Sequence, residues 1–171
     1  AAGPGSFTGI RIGVSAAKGL AFAADKPCAA VSTLEAMARN VAHMDALVVC
    51  AMDARRSQIY NALFTSEHGR LTRRTPDRAI GPVSYTHLTL PTNREAEELR
   101  SEPLPLVIVG DGAVLCEKAL TEAGLPCRLA PPQLVMQNAM SVALCAEDLA
   151  RAGKLVSAQE LLPVYLRPPQ A

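Results

Sequence analysis

Hydrophobic and polar positions divide the chain into continuous apolar runs of strand length and longer segments with helical periodicity. The apolar runs predict strands at Ala46 to Met52 and Leu104 to Val109, and a short strand at Cys28 to Val31. Gln58 to Phe64 predicts a further strand, paired with the first as a hairpin through a five-residue loop from Asp53 to Ser57.

Helices are predicted where capping and stop signals bracket the periodic segments. The predicted helices are Ile10 to Ala24, one opened by the S-x-x-E pattern of Ser32 and Glu35, one from the Gly110-Asp111-Gly112 turn to Ala123, and one from Gln137 or Asn138 to Ala152. Ser6 or Thr8 can cap the first of these. Helices alternating with strands, together with one hairpin, predict an α/β fold with a mixed sheet.

The first predicted helix is apolar almost all the way round. Its few polar residues, Arg11, Ser15 and Lys18, share one face. Two further stripes remain, one of Ile12, Ala16, Gly19 and Ala23 and the other of Ile10, Val14, Ala17 and Ala21. A helix of this kind is buried, or becomes buried against a partner. Both readings stay open on the pattern alone.

Composition narrows the class of protein. The 171 residues are 49% hydrophobic and 19% charged, which is typical of one globular domain with a real core. The net charge of +1 supplies no bulk attraction for nucleic acid or anionic membranes. The five cysteines form no CxxC pair, which predicts buried free thiols in a reducing compartment. No apolar run is long enough to span a bilayer, so a cytoplasmic protein is expected.

The opening stretch GPGSFTGIRIG is the strongest candidate for a binding loop. It lacks the lysine of a phosphate-binding P-loop, and its glycines are spaced one residue too widely for a dinucleotide fingerprint. The loop could still offer backbone amides to an anion at the start of a helix. The alternative is a sharp turn that lets the helix pack closely. The structural-loop residues are Gly3, Gly5, Ser6, Thr8 and Gly9.

Candidate chemistry elsewhere is sparse. Asp53 and Asp111 each follow a predicted strand at a turn, with Arg55 close by. In an α/β protein such positions can lie near a nucleotide or a cation, although they more often cap the turn. The three histidines have no HxxH or HxxxH spacing, so no metal site is predicted. No nucleophile, base and oxyanion donor can be assembled, and no catalytic residue is assigned.

One stretch matches none of its surroundings. Pro82 to Thr92 reads PVSYTHLTLPT, and Val83 to Thr92 resembles the conceptual translation of a transposon-end sequencing adapter. This resemblance predicts that Pro82 to Glu95 is a library artefact in place of native residues. The alternative is a natural surface loop. Resequencing the genomic locus distinguishes the two.

Five motifs remain to be explained: GPGSFTGIRIGVSAAKGLA (Gly3 to Ala21), Val31 to Leu34, Met52 to Arg56 with Ile59-Tyr60, Gly110 to Ala113, and Pro163 to Pro168. Together they resemble the TsaB (YeaZ) family, whose members are subunits of tRNA threonylcarbamoyladenosine biosynthesis. The resemblance implies an actin-like (ASKHA, RNase H-like) fold of two lobes, with mixed sheets and flanking helices. It also implies an N-terminally truncated chain. Residues 1–45 are then the remnant of an incomplete first lobe that carries the dimerisation helix, and residues 46–171 are the second lobe.

The same resemblance implies a function. Family members are non-catalytic scaffold subunits that bind the catalytic subunit TsaD together with the ATPase TsaE, and can form a homodimer when alone. ATP and metal are then expected on the partners, and tRNA is contacted only indirectly. The implied partner interface is the first helix, through Ile10, Arg11, Val14, Ala17, Lys18 and Ala21. The alternatives are an M22-type glycoprotease-like or ATP-hydrolysing enzyme, or a non-functional gene fragment.

Overall fold

The computed structural model describes residues 1–55, 58–80, 103–122 and 124–167, and the adapter-like stretch lies outside them. The helices are α1 (Phe7–Ala23), α2 (Thr33–Arg39), α3 (Ala113–Glu122) and α4 (Ala139–Arg151), with a 3-10 turn at Pro132–Leu134. The strands are β1 (Ala46–Arg55), β2 (Gln58–Glu67), β3 (Arg70–Arg73), β4 (Arg78–Ile80), β5 (Leu106–Val109) and β6 (Cys127–Leu129).

The strands form one mixed sheet within the described residues. Its order is β3-β2-β1-β5-β6, and β4 pairs with β2 beside β3. The β1–β2 pair is antiparallel, whereas β1–β5 and β5–β6 are parallel. Parallel neighbours place the carboxyl ends of β1 and β5 at the same edge of the sheet. The predicted α/β architecture with a mixed sheet is confirmed.

Both faces of the sheet are buried, which explains the continuous apolar sequence of β1. Leu47, Val49 and Ala51 point to the face that α3 covers, while Val48 and Cys50 point to the face that α2 covers. This alternation follows from the two-residue period of a strand. Because α2 belongs to residues 1–45 and packs on a sheet formed by residues 46–129, the core is continuous across residue 45; the proposed boundary there stays a prediction.

The β1–β2 connection is tighter than the predicted five-residue loop. Both strands extend toward each other until Arg55 pairs with Gln58, so Asp53 lies within β1 rather than in a turn. A register irregularity between Asp53 and Arg55 lets the polar end of β1 keep its pairing. The predicted strand at Cys28 to Val31 is reduced to an isolated antiparallel bridge from Cys28 to Val156.

Side-chain caps fix where the first two helices begin. Ser6 is the N-cap of α1, and its Oγ accepts a hydrogen bond from Gly9 N at 3.4 Å, so the helix starts earlier than predicted. Ser32 caps α2 by accepting from Glu35 N at 3.2 Å. The Glu35 carboxylate does not complete a capping box, because it pairs with Arg73 of β3 at 2.8 Å.

The cysteines confirm the prediction of buried thiols, with Cys127 half-buried and the other four buried. Burial raises the pKa of the Cys116 thiol to about 12 and that of Cys145 to about 11. Burial also raises the pKa of Cys50 strongly. A thiol held in its protonated form is a poor nucleophile.

We therefore expect Cys50 and Cys116 to resist alkylation by iodoacetamide in the native protein at about pH 8, since the thiolate is the reactive species. Mass spectrometry of labelled peptides measures this directly. Unfolding in urea should make both sites reactive. If Cys50 and Cys116 were alkylated as fast in the native protein as in urea, the burial described above would be contradicted.

Candidate functional site

The opening loop and the ends of two strands meet in a single cleft. Gly5, Ser6 and Thr8 form one wall, next to the start of α1. The opposite wall and floor come from Met52 to Arg55, Tyr60 and Asp111. The cleft is open to solvent and has a volume of about 660 Å³. Residues that lie far apart in the sequence thus line one concave surface.

Asp53 and Asp111 are joined through the backbone. Asp111 Oδ1 accepts a hydrogen bond from Asp53 N at 2.7 Å, and Asp53 Oδ1 accepts one from Arg55 N at 2.7 Å. This chain of contacts follows from the sheet, because Cys50 of β1 pairs with Val109 of β5 and both strands end at the cleft. The sequence-predicted trio is brought together, and a carboxylate oxygen of each aspartate accepts a hydrogen bond from a backbone N–H at the end of β1.

Arg55 adopts a left-handed conformation at the rim of the cleft, with φ of 62°. A non-glycine residue in this region stores strain, which is common where a turn must aim a side chain at a site. Ser6, Phe7 and Thr8 at the start of α1 also line the cleft, and the two aspartates add negative charge. The cleft therefore offers hydroxyl and carboxylate groups to a polar ligand.

The predicted loop residues separate into three environments. Gly5, Ser6 and Thr8 line the cleft, whereas Gly9 lies in the first turn of α1. Gly3 has a φ of 131° and lies against residues 156–167, the C-terminal segment, where an added Cβ would be 2.5 Å from Val164 O. Gly3 is therefore required for the close approach of two backbone segments.

Helix α1 exposes an apolar face. Ile12 is 66% exposed and Leu20 is 75% exposed, while Val14 on the other side is 4% exposed. Between the two large side chains lie small exposed residues, namely Gly13, Ala16 and Gly19, with Ala23 at the end of the helix. Phe22 is 69% exposed at the edge of this surface. We call Ile12, Ala16, Gly19, Leu20 and Ala23 the outer face.

The structure orients α1 differently from the sequence prediction. Ile10, Val14 and Ala21 of the predicted packing stripe face inward and pack with Cys28, Val156 and Leu161 of the same chain. Ala17 of that stripe is exposed. The reason is that the C-terminal segment occupies this side of the helix. The exposed stripe is the one built on Ile12, Ala16, Gly19 and Ala23, and the partner interface itself stays a prediction.

The two basic residues of α1 are engaged within the chain. Lys18 Nζ donates to the carbonyl oxygens of Gln159 and Leu161, both at 3.0 Å. Arg11 Nε donates to the Tyr165 hydroxyl at 3.0 Å. These contacts place both side chains against the C-terminal segment rather than across the outer face.

The C-terminal segment is the part of the site that sequence reasoning missed. The Tyr165 ring makes a tilted contact with the Phe7 ring, with centroids 5.0 Å apart, and Arg167 Nη1 donates to Ala54 O of β1 at 2.7 Å. The available signal was the run Pro163 to Arg167, which combines an aromatic and a cation after a proline. That run alone does not say which element it contacts.

Among the residues that the structure describes, no group of three or more His, Cys, Asp and Glu side chains could hold a metal ion. No helix there combines the length and the hydrophobicity that crossing a membrane requires.

The mixed sheet, the helices on its two faces and the cleft at its edge define an α/β protein. The family model described as "TsaD: tRNA N6-adenosine threonylcarbamoyltransferase" matches residues 1–162. The chain is 30% identical to the tRNA threonylcarbamoyladenosine biosynthesis protein TsaB of Escherichia coli over 167 residues, which is 96% of this chain and 68% of the relative. It is 48% identical to TsaB of Bacillus subtilis over 80 residues, 47% of this chain.

Solved structures give the same result. A crystal structure from Pseudomonas aeruginosa, described as similar to peptidase YEAZ, superposes with a TM-score of 0.76 at 26% identity, covering 97% of this chain and 71% of that one. YeaZ from Pseudomonas aeruginosa superposes with a TM-score of 0.73 at 26% identity, covering 96% of this chain and 71% of that one. The chain belongs to the TsaB (YeaZ) family, and the actin-like fold expected from the sequence is confirmed. Its match to the Bacillus subtilis protein spans 35% of that relative.

Proposed function

We propose that the chain is a non-catalytic subunit of the machinery that forms threonylcarbamoyladenosine in tRNA, and that it docks on the catalytic subunit TsaD through α1. Membership of the TsaB family supports the pathway. The outer face of α1 supports the docking role, and it is the observation that carries the proposal.

The outer face has the composition of a helix–helix contact. Ile12, Ala16, Gly19 and Ala23 follow one another at intervals of four, three and four residues, so they share one side of the helix. Small residues let the backbones of two helices approach closely, while Ile12 and Leu20 supply apolar surface to be buried. An exposed, contiguous apolar surface of this kind is typical of a protein interaction site.

The same face suits a second copy of the chain. A homodimer through α1 would be isologous, with each copy offering the same stripe to the other. The TsaD contact and the self-contact then compete for one surface. In this proposal the homodimer is the resting form, and TsaD displaces one copy.

The proposal assigns the chemistry to the partners. TsaD would carry the metal and transfer the threonylcarbamoyl group, and TsaE would use ATP. The net charge of +1 supports an indirect role toward tRNA, because strong tRNA binding relies on clustered cations that neutralise phosphates. In this proposal the complex works in the cytoplasm, which is consistent with a role in tRNA modification.

Reconstitution tests the proposed role. The purified chain, TsaD and TsaE of the same genome are mixed with threonylcarbamoyl-adenylate or its precursors and unmodified tRNA, and the modified nucleoside is measured by mass spectrometry. We expect modification to depend on the chain, and the chain alone to modify nothing. Turnover by the chain alone, or equal modification without it, would overturn the proposal.

A further inference from the structure

We infer that residues 156–167, here called the C-terminal strap, position α1 so that its outer face is held ready for docking. This inference rests on the proposed docking role of α1. The strap is then a positioning element, and Lys18 of α1 and Tyr165 of the strap make the contacts that hold the two together.

The strap supplies the surface on which α1 lies. Val14, the buried residue of α1, packs with Cys28 and with Leu161 of the strap, and Val156 of the strap packs against the same cluster. Within the described residues, neither of the two clusters that cover the sheet faces includes a side chain of α1. The inward side of α1 therefore packs on the strap and Cys28 rather than on the sheet, whereas α2 and α3 pack directly on the sheet.

Lys18 ties the centre of α1 to the strap. Its ammonium group donates to two strap carbonyls, Gln159 O and Leu161 O, each at 3.0 Å. Hydrogen bonds from a charged donor are stronger than neutral ones, and two acceptors two residues apart in the strap restrict both sliding and rotation of the helix. A rotation that hid the outer face would break both bonds.

Tyr165 ties the start of α1 to the strap. Its ring lies 5.0 Å from that of Phe7, and the Arg11 guanidinium lies 4.3 Å from the centre of the Phe7 ring while Arg11 Nε donates to the Tyr165 hydroxyl. Arg11 thus contacts both rings through different forces, one a cation–π contact and one a hydrogen bond. The grip at Tyr165 and the grip at Lys18 are about two helical turns apart on α1.

The strap is itself fixed to the rest of the fold. Val156 pairs with Cys28 through two backbone hydrogen bonds of 2.7 and 2.9 Å, and Val164 N donates to Ala2 O at 2.8 Å. Arg167 Nη1 donates to Ala54 O, at the floor of the cleft. Because these contacts do not involve α1, the strap can hold the helix in a fixed position on the rest of the fold. The strap also passes so close to residue 3 that a side chain there would overlap Val164 O, which explains the glycine.

The test combines two substitutions on the grip with a matched control. Lys18→Met removes the charge at similar length, and Tyr165→Ala removes the ring; the control Lys154→Met makes the same change at an exposed residue after α4. Hydrogen–deuterium exchange of the backbone amides and the Kd for TsaD are measured for each protein. Lys18→Arg and Tyr165→Phe are included as conservative variants.

We expect the double variant to exchange its α1 amides faster, while exchange in β1 and β5 stays unchanged. We also expect its Kd for TsaD to rise about tenfold, because only about a tenth of the molecules would present α1 in the docking orientation. Lys18→Arg should restore slow exchange, since it keeps two donors. Unchanged exchange in α1 would overturn the inference, and so would equal acceleration in the sheet. If the unaltered chain fails to bind TsaD, the proposed function fails, and the exchange data still decide the role of the strap.

Discussion

Replacing Ala16 by glutamate is expected to weaken TsaD binding by about a hundredfold or more, because the carboxylate would be buried without a partner in the helix–helix contact. Ala16 lies at the centre of the outer face and is exposed in the isolated chain, so its replacement removes no packing. Glutamate is also a good helix former, so α1 should remain intact. Titration calorimetry with purified TsaD measures the change in Kd.

The control for this experiment is the same substitution on another helix. Ala150→Glu introduces an identical charge on an exposed position of α4 and should leave the Kd unchanged. Unaltered binding by Ala16→Glu would contradict the assignment of the outer face. The equivalent change at Val14 is a poorer test, because Val14 packs against Leu161 and its replacement would disturb the strap as well.

Replacing Gly110 by alanine is expected to lower the free energy of unfolding by about 3 kcal/mol or more, through backbone strain and overpacking together. Gly110 has a φ of 105°, which alanine rarely adopts, and an added Cβ would overlap the carbonyl oxygen of Ala51. That carbonyl cannot move away easily, because it accepts a hydrogen bond from Gly112 N at 3.0 Å. Urea denaturation followed by circular dichroism measures the loss.

Gly19→Ala is the matched control for Gly110. Gly19 lies in α1 with no described atom within 4 Å of an added Cβ, so alanine should stabilise the fold by about 0.5–1 kcal/mol through helix propensity. An unchanged urea midpoint for Gly110→Ala would show that the β5–α3 turn can relax, contrary to the close approach seen at Ala51.

The elements that could be predicted are those whose sequence pattern fits a single structural setting, such as a strand buried on both faces or a capped helix start. The β1 run from Ala46 to Met52 is apolar throughout because both faces of the strand are buried, and Ser32 marks the start of α2 because its side chain caps the helix. Strands β3, β4 and β6 were not predicted, because they are short and largely exposed. They are strands because they pair with neighbouring strands, and their own sequences carry no strand pattern.

The candidate site was predictable in part. Asp53 and Asp111 were identified as strand-end residues, but their hydrogen bond depends on the register that pairs Cys50 with Val109. The orientation of α1 could not be deduced, because it has apolar residues on almost every side and the periodicity therefore does not show which side is buried. Only the contact with the strap distinguishes the stripe of Val14 from that of Ala16.

The strap also has a consequence for biosynthesis. Arg11 is separated from Tyr165 by 154 residues and Lys18 from Leu161 by 143, so the ribosome makes the helix long before the segment on which it rests. At about 5–20 residues per second, the nascent chain leaves the inner side of α1 uncovered for about 7 to 30 seconds. The inner side of α1 is covered only after residues 156–167 have left the ribosome, so until then it is an exposed apolar surface, which favours aggregation or chaperone binding.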